Sequence, residues 1–318
     1  MTWNELNVVI ENNSSFLISS HLSLDGDCVG SQLALYWYLK DRGKQACIYC
    51  VDPLPAKFSF LKNSEMLAGE KPSQQFDVLF ILDCSNQSRL GWEGSNEAAK
   101  QIVNIDHHRD NTRFGFQNYI DTATAATGEI IYRFFTENNI DFPDHVAESL
   151  YCAIMSDTGG FRFSNTTGKI LSVCADLANR GADCSAIYEN VYASHSQTGL
   201  LLQARMWSTL TFHLEGKVCS MELPLSVIDE LGAHHSDSEG MADNTVTAKS
   251  VEVGIICKHS PTQTHFSLRS KGLVDVGRVA QGIPGGGGHC CAAGCTIDQP
   301  YALAMPKMLS IIDKELRG

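Results

Sequence analysis

The sequence predicts an α/β fold, in which an N-terminal domain with a mostly parallel sheet precedes a smaller C-terminal α+β domain. In the first half, short apolar runs alternate with segments of helical periodicity, a pattern typical of parallel sheets. From Thr211 onward the chain becomes rich in strand-like segments. A length of 318 residues also favours two domains, because single hydrophobic cores rarely grow beyond about 250–300 residues.

The predicted sheet of the first half consists of apolar runs of strand length. They span residues 15–20, 46–51, 77–82 and 101–105. Residues 30–40, between the first two runs, predict a helix. A second helix is predicted over 144–155, since Val146, Leu150 and Ile154 recur every four residues.

The second half begins with a predicted helix over residues 197–209. Strand-like segments follow at 217–222, 250–257 and 264–269. The run Gly285–Gly288 is expected to interrupt these strands, and residues 306–316 close the chain as a helix. The changes of pattern predict three parts of the chain. They are a first domain over 1–188, a linker helix over 189–210 and a second domain over 211–318.

Composition and charge exclude some classes of protein. The net charge of −12 argues against binding to duplex DNA, because contacts with phosphates normally need a basic face. The apolar run Val78–Leu82 is far too short for a membrane span, which needs about 20 residues. Twelve cysteines without a signal peptide predict reduced thiols and a cytoplasmic location.

Acids and histidines recur along the first half in four separated segments. They are His21, Asp25, Asp27, Asp83, Asp106, His107, His108 and Asp157. Three of the segments follow predicted strands, and the carboxyl ends of parallel strands meet at one edge of a sheet. Taken singly, each segment is also compatible with a polar turn or a helix cap. Together they predict a two-metal phosphoesterase, because carboxylate and imidazole ligands suit Mn²⁺ or Mg²⁺.

The first of these segments holds two aspartates close together. A single residue, Gly26, separates Asp25 from Asp27. In an extended turn, both carboxylates would face one site.

Across these segments, residues 15–165 resemble the DHH phosphoesterase superfamily, which includes RecJ-type nucleases and family II inorganic pyrophosphatases. Residues 156–163 are similar to the fourth motif of that family. Leu24 stands where the family often has proline, which affects the rigidity of the turn and not the ligands. In the second half, Arg269, the glycine run with His289, and Ala292–Gly294 resemble the DHH-associated substrate-binding domain. The whole pattern is most similar to the NrnA-type oligoribonuclease and pAp phosphatase group.

The resemblance implies a role for each of these residues. The ligands of one ion would be His21, Asp25 and Asp83. The ligands of the other would be Asp27, Asp83, His107 and Asp157, with Asp83 bridging. The implied catalytic set is Asp83, Asp106, His107 and His108. In it, His108 would contact the scissile phosphate, and Asp106 would orient a histidine.

The second domain would hold a phosphate of the substrate. Its implied contacts, together with His108, are Arg269, Ser270, Gly286, Gly287, Gly288 and His289. Glycine lets backbone amides approach phosphate oxygens closely, and an arginine can bind a phosphate with two hydrogen bonds.

The resemblance further implies the reaction and its cofactors. Two divalent ions, Mn²⁺ or alternatively Mg²⁺, would activate a water between them at a separation of about 3.5–4 Å. The substrates would be short single-stranded RNA, cleaved to 5′-mononucleotides, or pAp, converted to AMP. Relatives also suggest a homodimer, while the net charge and the short apolar runs predict no duplex-DNA or membrane partner.

Two other functions stay open at this point. One is a phosphodiesterase of cyclic or linear dinucleotides such as c-di-AMP or pGpG, and the other is a nucleotide sensor without catalysis. Inorganic pyrophosphatase is disfavoured, because those relatives lack the glycine-rich loop. A processive RecJ-type nuclease is disfavoured, because the sequence has no additional oligonucleotide-binding domain or basic track.

Overall fold

The computed structural model describes residues 2–68, 70–238, 240–288 and 290–317. The chain divides into two compact units, Met1–Ser194 and His195–Gly318. Within the described ranges, every helix is too short or too polar to cross a bilayer.

The first unit is built on a five-stranded sheet. Its strands are β1 (Ser15–Ser19), β2 (Gln45–Ile48), β3 (Phe76–Leu82), β4 (Ala99–Asp106) and β5 (Gln117–Ile120). Their order is β2-β1-β3-β4-β5, and every pairing is parallel. The predicted α/β class is therefore confirmed. The sequence analysis did not predict β5, whose residues are only half-buried and do not form an apolar run.

Buried side chains cover both faces of this sheet. Phe16, Ile18 and Phe80 belong to one hydrophobic cluster, whereas Leu17 and Leu79 belong to another. Successive residues of a strand point to opposite faces. A strand that is buried on both faces is apolar at every position, which explains the continuous apolar runs in the sequence.

The helices of this unit pack against the sheet or against one another. They are α1 (Trp3–Asn12), α2 (Gly26–Asp41), α3 (Thr127–Glu137), α4 (Asp144–Asp157), α5 (Gly168–Asn179) and α6 (Cys184–Tyr188). The expectation of an extended turn over residues 25–27 is wrong, because α2 begins at Gly26 and not at Gly30. Asp25 caps the helix by accepting a hydrogen bond from the backbone N–H of Cys28 at 3.0 Å. Asp27 and Cys28 consequently lie in the first helical turn.

Two glycines of α2 allow α4 to approach it closely. A Cβ atom on Gly30 would lie 2.1 Å from the carbonyl oxygen of Ser149, and one on Gly26 would lie 1.9 Å from Oγ of Ser156. Both partners belong to α4. The close packing places Asp157, the last residue of α4, beside Asp27.

The second unit contains a six-stranded mixed sheet. Its strands are β6 (Thr211–His213), β7 (Val218–Pro224), β8 (Val253–His259), β9 (Thr264–Ser270), β10 (Gly287–Gly288) and β11 (Ala292–Ile297). Their order is β10-β11-β9-β8-β7-β6, and among the described strands of this second sheet only β7 and β8 pair in parallel. Its helices are α7 (Gln197–Trp207), α8 (Leu225–Leu231), α9 (Met241–Thr245), α10 (Val276–Gln281) and α11 (Tyr301–Arg317).

Two expectations for this unit are corrected. The glycine run was expected to interrupt the strands, but Gly287 and Gly288 form a short edge strand that pairs with β11. The last helix begins at Tyr301, so Pro306 lies inside it and does not start it. Because proline lacks a backbone N–H, it is usually found in the first turn of a helix. Its position therefore suggested a helix start at Pro306, which is wrong here.

Candidate metal centre

One cluster of polar side chains lies at the carboxyl end of β1. His21 Nε2 is 3.8 Å from Asp25 Oδ2 and 3.5 Å from Asp83 Oδ2. The other ring nitrogen of His21, Nδ1, lies 2.5 Å from the carbonyl oxygen of Leu22, which directs Nε2 into the cluster. Cys28 Sγ lies 3.0 Å from the same Nε2 and 3.4 Å from Asp83 Oδ2. Cys28 lay outside the predicted set of site residues.

A second cluster lies beside the first and shares Asp83 with it. His107 Nε2 is 3.0 Å from Asp157 Oδ2 and 3.8 Å from Asp27 Oδ2. It is also 3.4 Å from Oδ1 of Asp83, the oxygen that does not face His21. Asp83 therefore presents one carboxylate oxygen to each cluster.

The backbone of Asp83 has an unusual conformation. Its φ angle is 53°, in the left-handed region that residues other than glycine seldom adopt. Aspartate tolerates this region better than most residues, and strained backbone of this kind is concentrated at functional sites. The turn directs the carboxylate between the two clusters directly after β3.

Asp27 is fully buried and is held by the N-terminus of α3. Its Oδ2 accepts a hydrogen bond from the backbone N–H of Thr127 at 2.6 Å, and its Oδ1 accepts one from Gly128 at 2.8 Å. Oδ1 also accepts a hydrogen bond from the hydroxyl of Ser31 at 3.0 Å. Helix N-termini stabilise anions. This support was not predicted from the sequence, because Thr127 and Gly128 contribute backbone N–H groups that no side-chain pattern reveals.

Asp106 is buried at the end of β4 and contacts His108. Its Oδ1 lies 2.7 Å from His108 Nδ1, and its Oδ2 accepts a hydrogen bond from Asn111 at 2.6 Å. His108 Nδ1 lies 3.5 Å from Asp83 Oδ1, so this ring borders the shared carboxylate. Burial disfavours the charged form of Asp106, but His108 outweighs it and holds the pKa of Asp106 below its usual range. Asn111 also lay outside the predicted set.

Negative charge is concentrated in this centre. Burial and the neighbouring Asp83 and Asp157 carboxylates raise the pKa of Asp27 well above its usual value. Burial also raises the pKa of Asp157 to about 6, although His107 opposes this. At His21, burial disfavours the charged ring, but Asp83 and Asp25 outweigh it and raise the pKa to about 9.

The residues present fit divalent cations. Three groups of side chains have donor atoms close enough to share an ion. They are His21, Asp25, Cys28 and Asp83; then Asp83, His107 and His108; then Asp27, His107 and Asp157. Carboxylate oxygens and imidazole nitrogens are ligands for such ions, and positive charge would relieve the repulsion between the carboxylates.

The predicted substrate residues of the second unit lie near one another on its sheet. Arg269 Nε donates to Asp243 Oδ1 at 2.7 Å, so an acidic side chain holds the guanidinium. Arg269 lies opposite Ala292 of β11, and the next residue of β11 pairs with Gly288 on the other side.

Ser270 and the glycine run complete this part of the unit. The backbone N–H of Gly272 donates to Ser270 Oγ at 3.0 Å. A Cβ atom on Gly286 would lie 2.2 Å from the carbonyl oxygen of Ala280, so the run packs closely on α10. His289, which the sequence analysis included, lies outside the described residues.

The carboxylates and imidazoles lie together at the carboxyl edge of a parallel sheet, and this arrangement together with the family and relatives given next defines a phosphate-ester hydrolase. Residues 15–154 match the N-terminal domain of the DHH family, and residues 216–318 match the DHHA1 domain. The chain belongs to the DHH family, which confirms the resemblance of its motifs.

Several known proteins are similar over nearly the whole chain. The bifunctional oligoribonuclease and PAP phosphatase NrnA of Thermus thermophilus is 30% identical, over 94% of this chain and 89% of the relative. The protein of the same description from Bacillus subtilis is 24% identical, over 89% of each chain. The crystal structure of an exopolyphosphatase-related protein from Bacteroides fragilis has a TM-score of 0.90 at 24% identity, over 99% of this chain and 95% of that one. This last likeness concerns the fold alone.

Proposed function

We propose that this protein hydrolyses short nucleotides with the help of two divalent ions, releasing 5′-mononucleotides from oligoribonucleotides and AMP from pAp. The observation that carries the proposal is the position of Asp83, whose two oxygens face two separate clusters of ligand-type side chains. The names of the relatives from Thermus thermophilus and Bacillus subtilis support the choice of substrates.

The ligands of the two ions follow from the two clusters. His21, Asp25 and Asp83 would hold one ion, and Asp27, Asp83, His107 and Asp157 would hold the other. When bound, such ions activate the attacking water and neutralise charge on the phosphate. We propose Mn²⁺ as the physiological ion, with Mg²⁺ as the alternative.

His108 would contact the scissile phosphate. Asp106 lies against Nδ1 of this ring, so the ring presents Nε2 on its opposite side. Asp106 thereby sets the orientation and the tautomer of His108. Burial disfavours protonation of His108, but Asp106 and Asp83 outweigh it and raise the pKa of the ring, which favours a charged donor toward phosphate.

The second unit would bind another phosphate of the substrate. Its proposed contacts are Arg269, Ser270, Gly286, Gly287, Gly288 and His289. Asp243 would keep the guanidinium of Arg269 in place for this contact. We accordingly propose a catalytic domain over residues 1–188, a linker helix over 189–210 and a substrate-binding domain over 211–318, in a protein that functions as a homodimer.

The test is product analysis with purified protein and Mn²⁺ on one panel of substrates. The panel contains pAp, 5′-phosphorylated RNA of two to five nucleotides, pGpG, c-di-AMP and pyrophosphate. We expect mononucleotides from RNA and AMP from pAp. If c-di-AMP or pGpG alone were turned over, the protein would be a dinucleotide phosphodiesterase, and turnover of none of them would refute the proposed function.

Asp83→Asn is the decisive variant. Asparagine has the same size and also tolerates the left-handed backbone region, so we expect a folded protein without turnover. Asp41→Asn, at the exposed end of α2, is the matched control and should retain full activity.

A further inference from the structure

Cys28 is a buried thiol that the proposed reaction does not use. Its side chain is fully buried in the first turn of α2. Polar groups surround its sulfur: His21 Nε2 at 3.0 Å, Asp83 Oδ2 at 3.4 Å and the hydroxyl of Ser20 at 2.8 Å. Two of these neighbours are proposed ligands of the first ion.

The spacing of these atoms is close to that of ligands around one ion. Ligand atoms about 2.0–2.3 Å from a tetrahedral ion lie roughly 3.3–3.8 Å from one another. Here the distances from His21 Nε2 are 3.0 Å to sulfur, 3.5 Å to Asp83 and 3.8 Å to Asp25. Small adjustments of side chains would bring one nitrogen, two oxygens and one sulfur around a common centre.

The second cluster has a different composition. Asp27, His107 and Asp157 supply only oxygen and nitrogen, and no cysteine belongs to this cluster among the residues that the structure describes. The first cluster therefore offers a soft sulfur ligand, whereas the second offers only harder oxygen and nitrogen ligands.

We propose that Cys28 is the fourth ligand of the ion held by His21, Asp25 and Asp83, and that its sulfur makes this half of the centre prefer transition-metal ions, with Zn²⁺ and Co²⁺ bound more tightly than Mg²⁺. The proposal rests on the proposed function in that it assumes an ion at this cluster. Thiolates favour such borderline ions, whereas Mg²⁺ prefers oxygen ligands. On binding, the S–H bond breaks, the sulfur electron pair goes to the ion, and the proton leaves to solvent.

Cys50 provides a control, because it belongs to none of the three ligand groups found among the described residues. Cys50 is buried and donates to Oε1 of Gln32 at 3.3 Å. Cys50→Ala removes a buried thiol of the first unit and leaves every proposed metal ligand in place.

The experiment is a titration of metal-free, full-length protein with Co²⁺, followed by absorption spectroscopy. The native protein and Cys50→Ala should show a sulfur-to-cobalt charge-transfer band in the near ultraviolet. Cys28→Ser and Cys28→Ala should lose that band but keep the visible bands of bound Co²⁺. Competition with Zn²⁺ should show affinity weaker by at least ~10-fold in both Cys28 variants, since loss of even an outer partner of a metal ligand costs about that much.

Three other outcomes of the Co²⁺ titration would overturn the role of Cys28. Visible Co²⁺ bands in the native protein without the charge-transfer band would overturn the role of Cys28 and leave the proposed function standing. A charge-transfer band that persists in Cys28→Ser would also overturn it, because another thiol would then be the ligand. Absence of all Co²⁺ bands would overturn both this inference and the metal dependence of the proposed function. Serine is nearly the size of cysteine, so Cys28→Ser keeps the test valid if Cys28→Ala does not fold.

Discussion

Gly30→Ala tests whether the close packing of α2 on α4 builds the metal centre. The added Cβ atom would lie 2.1 Å from the carbonyl oxygen of Ser149 and 3.0 Å from Cβ of Ala153. Relief of the first contact requires a separation of the helices by about 1 Å or more, because optimal contacts between such atoms are ~3.5 Å long. The substitution therefore moves the helix that carries Asp157.

Two opposing terms set the effect on stability. Overpacking of a well-packed interior costs typically about 1–3 kcal/mol, and backbone obstruction lies at the upper end of this range. Alanine has a better helix propensity than glycine by about 1 kcal/mol. We expect a net loss of roughly 1–2 kcal/mol, which lowers the melting temperature by about 2–8 °C in a domain of this size.

Expressed as a free energy, the loss of activity in Gly30→Ala should exceed its loss of stability. A displacement of about 1 Å at a reacting centre can reduce the rate by ~10²-fold. Both quantities are measurable, by thermal unfolding and by turnover of pAp with saturating Mn²⁺. Gly168→Ala is the matched control, because a Cβ atom at this first residue of α5 would meet no atom within 4 Å. It should be as stable as the native protein or more stable, and fully active. A Gly30→Ala variant with native stability and activity would refute the packing argument.

Three further predictions concern charge. Lys100, with the backbone N–H groups of Ser14 and Ser15, holds the pKa of Asp77 well below its usual range. This stabilisation is present above the unfolded-state pKa of about 3.9 and is lost as the pH falls. Urea unfolding of Asp77→Asn should therefore show a smaller loss of stability between neutral and acidic pH than the native protein, and an identical pH dependence would contradict this. Asp106→Asn should reduce turnover by ~10–100-fold while Mn²⁺ still binds. Steady-state kinetics measures the turnover and calorimetry measures the binding of Mn²⁺. Unchanged kinetics would remove Asp106 from the proposed mechanism. Mn²⁺ at 100 times its dissociation constant should add about 2.7 kcal/mol to the unfolding free energy. Thermal unfolding of the metal-free protein with and without Mn²⁺ measures this gain, and a chelator should reverse it. An unchanged melting temperature would argue against a metal centre.

Much of the first unit was predictable from local sequence. The apolar runs that end before His21, Asp83 and Asp106 identify buried parallel strands. Parallel pairing then brings their carboxyl ends to one edge. The prediction that ligand-type residues from distant segments meet there follows from these two rules and is matched by the two clusters.

The second unit was less predictable at its edge. Glycine runs usually indicate loops, yet Gly287 and Gly288 form a strand because β11 offers them a partner. Pairing partners lie elsewhere in the chain, so local sequence cannot reveal an edge strand without an apolar pattern.

The sequence by itself determined the class of fold, the edge of the sheet that carries the site and the chemical types of its side chains, because hydrophobic periodicity and residue identity are local properties. Only the tertiary structure decided how these side chains are used. The N-terminus of α3 supports Asp27 from 100 residues away. A left-handed backbone turns Asp83 between the two clusters. The capped start of α2 brings Cys28 to His21. Each of these contacts depends on the packing of helices against the sheet, and no pattern of neighbouring residues encodes that packing.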